Sequence, residues 1–128
     1  DRAMFPAVRD GDLVVYDRLD KSYSQRDLLA MKIDGTMQVR RVIGVAGDTI
    51  DFKEGVLFLN GIPQDESGVY EKSEQFKEGI AFPLTVPEGQ VFVMGDAREH
   101  ATDSRIYGCI NCRETYGTVI LVVRRRDF

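Results

Sequence analysis

Apolar and polar residues alternate over short runs along most of this chain, β-branched residues are frequent, and helical periodicity is nearly absent. A period of two is typical of β-strands that bury one face. The pattern predicts seven strands, at residues 13–16, 28–31, 37–45, 49–52, 56–59, 90–94 and 118–123. The third is expected to be interrupted by Arg40 and Arg41. The predicted fold class is therefore all-β or β-rich.

The turns and loops between these strands are also marked in the sequence. Lys53-Glu54-Gly55 predicts a tight turn, and Asn60-Gly61 predicts the end of the fifth strand. Residues 62–88, which we call the excursion, are polar and contain three of the four prolines. We expect the excursion to be a long surface loop with one short strand at most. Residues 96–112 form a second irregular stretch of mixed charge.

Size and charge limit the possible functions. The 128 residues are enough for one domain with a single core, so we expect one domain over residues 1–128. A net charge of −4 gives no general attraction to nucleic acid. The chain contains no apolar run of 18 residues. Because the first residue is Asp1 and the opening residues are typical of the middle of a domain, we expect an upstream segment to have been removed.

Cysteine and histidine are scarce. Cys109 and Cys112 are separated by two residues, and His100 is the only histidine. A structural zinc site needs four ligands, so we predict no metal and no cofactor. The two cysteines form either a short-loop disulfide or two free thiols.

Four sequence motifs follow one another along the chain. They read Ala-Met-Phe-Pro at 3–6, Arg-Asp-Leu-Leu-Ala-Met at 26–31, Val-Arg-Arg-Val-Ile-Gly-Val-Ala-Gly-Asp-Thr at 39–49, and Met-Gly-Asp-Ala-Arg-Glu-His-Ala-Thr-Asp-Ser-Arg at 94–105. Together they resemble the signature motifs of the type I signal peptidases, family S26. The resemblance covers most of the chain and implies a signal peptidase I-type β core with a shallow substrate cleft.

In that family a serine just before the methionine of the first motif is the nucleophile, and a lysine of the third motif is its general base. A serine hydroxyl needs a base to take its proton, and a lysine accepts that proton only when burial lowers its pKa. This chain has Ala3 and Arg40 at the two positions. A methyl group cannot attack a carbonyl carbon, and a guanidinium stays protonated. The resemblance thus predicts that the catalytic dyad is missing.

Two supporting positions depart from the family in the same way. The fourth-motif serine that touches the lysine is Ala101 here, and the oxyanion-hole position two residues before the nucleophile is Asp1. A carboxylate at that position repels a developing oxyanion. Other nucleophiles are disfavoured, because Ser104 is expected to be a turn hydroxyl and a Cys109–His100 pair would require a chance approach. No catalytic residue is expected.

The residues that match the family suggest two further roles. Asp96, Arg98, Asp103 and Arg105 of the fourth motif are expected to pair with one another and fix their loop beneath the cleft. Met4 and Phe5 are expected to line the groove, with Arg40 pairing either with Asp1 or with a carboxylate of a bound peptide.

The preferred hypothesis is a signal peptidase-like pseudoenzyme on the outer face of a cell membrane, held by a single upstream anchor. It is closest to the pilus-associated signal-peptidase-like proteins of Gram-positive bacteria, and its expected partners are a pilin, a sortase or a signal-peptide-like segment. A location outside the cytosol favours the Cys109–Cys112 disulfide. The alternative is an active membrane-bound signal peptidase whose serine and lysine have been replaced by mutation. A self-cleaving repressor-type domain is disfavoured by the fourth motif.

Overall fold

The computed structural model describes residues 2–66, 69, 71–76 and 79–124. Its regular structure consists mainly of ten strands, and each of the seven predicted strands is present. The strands are β1 (Leu13–Asp17), β2 (Leu28–Ile33), β3 (Thr36–Val45), β4 (Thr49–Lys53), β5 (Val56–Leu59), β6 (Ile62–Pro63), β7 (Leu84–Thr85), β8 (Gln90–Met94), β9 (Ile110–Asn111) and β10 (Gly117–Val123). The predicted β-rich fold class is confirmed.

The strands form two antiparallel sheets. The larger has six strands in the order β1-β10-β2-β3-β8-β9, and the smaller has four in the order β6-β5-β4-β7. The two sheets follow one another at the turn between β3 and β4. There Asp48 accepts a hydrogen bond from the Val45 amide at 2.9 Å, and Gly47 has φ 92°. Gly47 and Asp48 of the third motif therefore redirect the chain from one sheet to the next.

Strand β3 runs without a break through Arg40 and Arg41, so the interruption expected there is wrong. Neighbouring side chains on a strand point to opposite faces. The two guanidinium groups accordingly find different partners, which are the backbone carbonyls of Val39 and Thr102 for Arg40 and the carboxylate of Asp96 for Arg41. Two arginines are tolerated inside a strand because both side chains are hydrogen-bonded.

The core lies on both faces of β8. Phe92 and Met94 belong to a cluster that fills the space between the sheets with Ile50, Phe52 and Leu57. Val91 and Val93 point the other way, into a second cluster with Tyr23, Leu29, Met31 and Val42. These four of the five β8 residues are buried, so the strand has apolar side chains on both of its faces.

The excursion is bounded by two short strands where one at most was expected. β6 pairs with β5 across the Asn60-Gly61 turn, and β7 pairs with β4. Asn60 and Gly61 both have positive φ, 53° and 80°, as a two-residue hairpin turn requires. The excursion is therefore tied to the smaller sheet at both of its ends.

The irregular stretch after β8 also contains regular structure that the sequence pattern did not indicate. A single helical turn, α1 (Ser104–Tyr107), begins at the cap Asp103, whose carboxylate accepts from the Arg105 amide. A 3₁₀ turn covers Cys112–Glu114 and is capped by Asn111. Both are too short to produce a helical periodicity in the sequence.

The two cysteines flank β9 and lie on opposite faces of the larger sheet. Cys109 packs against the cluster that contains Phe92, whereas Cys112 packs against the cluster that contains Val91 and Val93. Both are free thiols in the structure, so the expected disulfide is not formed here. The separation follows from strand alternation, because residues three apart on an extended segment point in opposite directions.

We therefore predict two free thiols in the purified protein. Burial raises the pKa of both Cys109 and Cys112, so alkylation of the folded protein at neutral pH should be slow. Denaturation without a reductant should make both thiols react at once, as measured by intact mass after iodoacetamide treatment. Resistance of both cysteines to alkylation until a reductant is added would contradict this placement.

Candidate functional site

Three small residues from different parts of the chain meet at the end of β8. Ala3 and Ala101 are both buried, and Gly95 lies between them. A Cβ atom placed on Gly95 would lie 2.5 Å from the Ala101 Cβ and 2.6 Å from the Ala3 carbonyl oxygen. The Ala3 carbonyl also accepts a hydrogen bond from the Ala97 amide at 2.8 Å. The first and fourth motifs are thus held in direct contact.

Arg40 reaches the same place from β3. Its Nε donates to the carbonyl of Thr102, the residue after Ala101, at 3.1 Å, and its Nη1 donates to the Val39 carbonyl at 2.8 Å. Only 1% of the residue is exposed. We call Ala3, Arg40, Gly95 and Ala101 together the Ala3–Arg40 site. The structure therefore bonds Arg40 to the residue after Ala101, and Ala101 in turn lies with Ala3 around Gly95.

The chemistry available at this site is limited by its side chains. Burial lowers the pKa of the Arg40 guanidinium, and the nearby Tyr107 and Asp103 oppose that shift. A guanidinium nevertheless stays protonated at physiological pH and has no lone pair for a proton. Ala3 offers no hydroxyl. As a nucleophile–base pair, these two side chains cannot activate an acyl transfer.

Tyr107 of α1 is a neighbour of Arg40 that sequence reasoning missed. Burial raises the pKa of its phenol to about 12, although the Arg40 charge works in the opposite direction. At neutral pH Tyr107 is therefore neutral and does not neutralise the guanidinium. Nothing in the strand pattern indicated Tyr107, because its position depends on the one-turn helix that follows Asp103.

Met4 and Phe5, which were expected to line the groove, differ in their exposure to solvent. Met4 is 2% exposed and belongs to the interior, so it is not a surface contact for a ligand. Phe5 is 47% exposed, and the Arg9 guanidinium lies 5.0 Å from its ring centroid. Asp1 lies outside the described residues, so its expected pairing with Arg40 stays a prediction. Phe5 is thus a large apolar side chain that this segment presents to solvent.

Four charged residues of the fourth motif are buried, and they pair in a pattern that differs from the expected one; they are Asp96, Arg98, Asp103 and Arg105. Asp103 and Arg105 do bind each other, with Arg105 Nε and Nη2 donating to the two carboxylate oxygens at 2.9 Å each. Asp103 also accepts from the backbone amides of Gly95 and Arg105. Asp103 therefore holds the end of β8 and the start of α1 together.

Asp96 and Arg98 bind partners outside the motif. Asp96 forms a two-pronged pair with Arg41 of β3, at 2.9 and 2.8 Å. Arg98 forms a similar pair with Glu66 of the excursion, at 2.8 and 2.6 Å, and also donates to the Ser73 hydroxyl. Among the described residues, ion pairing within the motif is thus limited to Asp103 and Arg105, because Asp96 and Arg98 form their ion pairs with neighbouring segments.

The excursion is held by the same arginines. Arg105 donates to the Glu74 carbonyl at 3.1 Å, and its guanidinium stacks 4.4 Å from the centroid of the Phe76 ring. Glu66 and Ser73 are attached through Arg98. Sequence reasoning missed these contacts because the partners are separated by about 30 residues. The only available signal was the high density of glutamate in the excursion.

The alternative nucleophiles are engaged elsewhere. The Ser104 hydroxyl accepts a hydrogen bond from the buried Val93 amide at 2.9 Å. His100 lies 2.9 Å from Glu71 through its Nδ1, whereas Cys109 packs against the core. A raised thiol pKa is the opposite of what a reactive cysteine needs.

A cavity of about 280 Å³ lies beside Arg41 and Asp96. Its apolar floor includes Ile43, Leu57 and Leu59, and part of its rim is contributed by the excursion. Arg40 and Arg41 point to opposite faces of β3, so this cavity lies on the other side of the sheet from the Ala3–Arg40 site.

Comparison with known proteins identifies the same family as the four motifs. Residues 2–124 match the family model described as signal peptidase, peptidase S26. The chain is 34% identical to Signal peptidase I of Bacillus licheniformis over 91% of its own length and 69% of that protein. It is 32% identical to Signal peptidase I U of Bacillus subtilis, covering 80% of its own length and 60% of the relative.

A solved structure is also similar. A crystal structure of a signal peptidase I from Enterococcus faecalis V583 superposes with a TM-score of 0.64 at 27% identity, covering 79% of this chain and 99% of the other. Among the described residues, the structure contains no candidate membrane-spanning helix. The resemblance inferred from the four motifs is confirmed at the level of the family.

The Asp103–Arg105 pair gives a stability prediction. Asp103→Asn leaves Arg105 with a neutral partner in a buried position and should lower the free energy of unfolding by about 3–5 kcal/mol. Urea unfolding followed by far-ultraviolet circular dichroism measures the change, since the chain has no tryptophan. The matched control is Asp34→Asn in the exposed β2–β3 turn, which should change stability by less than about 0.5 kcal/mol. Equal effects of the two variants would contradict the structural role of Asp103.

Proposed function

Because the chain belongs to the signal peptidase family, peptidase S26, we propose that it is a catalytically silent member that binds a protein segment without cutting it. The observation that carries this proposal is the pair of side chains at the Ala3–Arg40 site. A buried methyl group and a buried, hydrogen-bonded guanidinium occupy the two dyad positions. Neither group has the lone pair that nucleophilic or general-base chemistry requires.

The proposed partner is an extended segment of a pilin or of a sortase, bound at the outer face of a cell membrane. A β core of this kind can hold such a segment as an added strand, with side-chain pockets giving specificity. The domain would work as one unit over residues 1–128, held near the membrane by an anchor upstream of residue 1. Phe5 is exposed next to the site and supplies apolar surface for the contact.

A second candidate function is peptide-bond cleavage by a signal peptidase whose serine and lysine have been replaced. The names of the relatives favour this candidate, because the matching proteins from Bacillus licheniformis and Bacillus subtilis are both called signal peptidases. The two candidates differ in what restoration of the dyad achieves. A mutated peptidase regains activity when its two residues return, whereas a silent member also lacks the groups around them.

We therefore predict that Ala3→Ser combined with Arg40→Lys does not produce cleavage. Ala101 has no hydroxyl to offer the lysine, and in the family's sequence motif the residue of the oxyanion hole corresponds to Asp1, whose carboxylate would repel an oxyanion. The assay is release of the mature fragment from a preprotein, with the protein in detergent micelles and the products separated by gel electrophoresis. The control adds Asp1→Ser and Ala101→Ser to the same protein.

The unmodified chain should give no cleavage above background. Strong activity of the double variant would favour the second candidate over our proposal. Cleavage by the unmodified chain would contradict the proposal directly.

If the partner binds beside Phe5, pilus assembly should depend on Phe5 more than on Ile62, which is also exposed. Phe5→Glu should abolish support of pilus assembly in cells, because the charge is placed next to the Ala3–Arg40 site. Ile62→Glu is the matched control, since Ile62 is also exposed but belongs to the smaller sheet. Pilus length is measured by immunoblotting of the cell wall, and folding of both variants is checked by thermal denaturation. Loss of assembly in Ile62→Glu alone would assign the partner to the excursion side.

A further inference from the structure

Arg26 has an unusual backbone conformation just before β2. Its φ is 76°, in the left-handed region that a bulky side chain rarely adopts. It is the third residue of a turn that the Asp27 amide closes by donating to the Ser24 carbonyl at 3.2 Å. Glycine is the residue that a turn position with positive φ favours. An arginine is therefore held here under backbone strain.

Three hydrogen bonds keep the backbone of Arg26 in this conformation. The Arg26 amide donates to the Val42 carbonyl at 2.7 Å, and the Val42 amide donates to the Asp27 carbonyl at 2.7 Å. Two residues of one segment thus face one residue of β3, which is the pattern of a β-bulge. The Arg26 carbonyl also accepts from Arg41 Nη1 at 3.0 Å. A glycine would make the same three contacts without strain, so the fold does not require the arginine side chain.

Arg26 also lines the cavity of about 280 Å³, where other charged groups are already paired. Arg41 and Asp96 bind each other in the cavity wall, and Glu66 is bound to an arginine of the fourth motif. Arg26 and Asp65 are both exposed, and neither forms an ion pair with a described residue. The rim therefore presents one uncommitted charge of each sign, from two different segments.

The floor of the cavity is apolar and suits one anchoring side chain. Ile43, Leu57 and Leu59 contribute to it, and each is less than 10% exposed, at 7%, 2% and 8%. Pockets that enclose a whole small molecule have volumes of about 300–1,000 Å³. A volume of 280 Å³ is small for such a ligand but is enough for a single large side chain. Buried anchors of this kind supply much of the affinity in contacts between proteins.

We propose that this cavity receives a large apolar side chain of a protein segment that carries an acidic residue on one side of the apolar residue and a basic residue on the other. The acidic residue pairs with Arg26 and the basic residue pairs with Asp65. Backbone strain at Arg26 is then retained because its guanidinium serves the ligand and not the fold.

The cavity adds a second contact to the proposed function. It lies on the opposite face of the larger sheet from the Ala3–Arg40 site, so the two sites contact different segments. The inference rests on the proposed function in one respect, which is that this chain holds a protein partner.

The first test removes the Arg26 side chain and preserves the backbone contacts. Arg26→Gly keeps the three hydrogen bonds and relieves the positive φ, so its unfolding temperature should be no lower than that of the unmodified 128-residue chain. The probe is a fluorescein-labelled peptide, Ser-Gly-Glu-Leu-Lys-Gly-Ser, used also in reversed order because the rim charges do not fix the direction of the segment. Arg26→Gly should bind the tighter of the two peptides about tenfold more weakly by fluorescence anisotropy, as the loss of one charge-assisted hydrogen bond gives. The matched control is Arg18→Gly in the exposed loop after β1, which should bind as the unmodified chain does.

The second test changes the peptide and locates it on the unmodified chain. Replacing the leucine of the probe by alanine removes most of the apolar surface that enters the cavity, so binding should weaken by about tenfold or more. In nuclear magnetic resonance spectra, addition of the leucine probe should shift the backbone amide signals of Leu57 and Leu59. The signals of Ala3 and Ala101 should stay unchanged.

The inference is overturned if Arg26→Gly binds the probe as tightly as the unmodified chain, or if the alanine peptide binds as tightly as the leucine peptide. A lower unfolding temperature of Arg26→Gly would also contradict it, because the fold would then need the arginine. Shifts at Ala3 and Ala101 in place of Leu57 and Leu59 would overturn the inference and support the proposed function. Cleavage of a preprotein by the unmodified chain would remove the proposed function and leave binding at the cavity standing.

Discussion

The arrangement around the end of β8 depends on one buried carboxylate, that of Asp103. It accepts hydrogen bonds from the Gly95 amide, from the Arg105 amide and from two nitrogens of the Arg105 side chain. The same guanidinium then donates to the Arg98 carbonyl. A carboxylate removed from water needs this many donors to compensate for its lost hydration. Its requirement fixes the positions of Gly95 and α1, and through them the positions of Ala101 and Thr102.

The two arginines of strand β3 point to opposite faces of the sheet. Arg41 points to the face where it binds Asp96 and borders the 280 Å³ cavity. Arg40 points to the other face, where it meets the Thr102 carbonyl. A single shift in strand register would exchange the two arginines. The identity of the site therefore depends on the register that the apolar residues Val42 and Ile43 impose, since each belongs to a different core cluster.

The sequence was sufficient for the strands but not for the partners of the charged side chains. Period-two alternation and the turns at Gly55 and Gly61 are local signals, and they located seven of the ten strands. The three missed strands, β6, β7 and β9, have two residues each, which is too short for an alternation to appear.

Glu66, Ser73 and Phe76 could not have been identified as partners, because the pattern gives no information about which distant segments meet. The same limitation explains the cysteines. Their spacing was compatible with a disulfide until the strand between them placed the two side chains on opposite faces. The family motifs predicted that the Ala3–Arg40 site would be assembled, but they gave no indication that Arg40 would donate to the Val39 carbonyl.

The groups that maintain this fold are not the groups that a serine–lysine mechanism uses. Asp103 and Arg105 bond to each other, Asp96 bonds to β3, and Arg98 bonds to the excursion. A hydroxyl and an amine can therefore be absent from the site while the loop that would have supported them stays fully hydrogen-bonded. The Arg40 guanidinium is buried, and it donates to two carbonyls that the β core provides. Fold and catalysis are separable here because their side chains are different, so the shape of the β core is no evidence of activity.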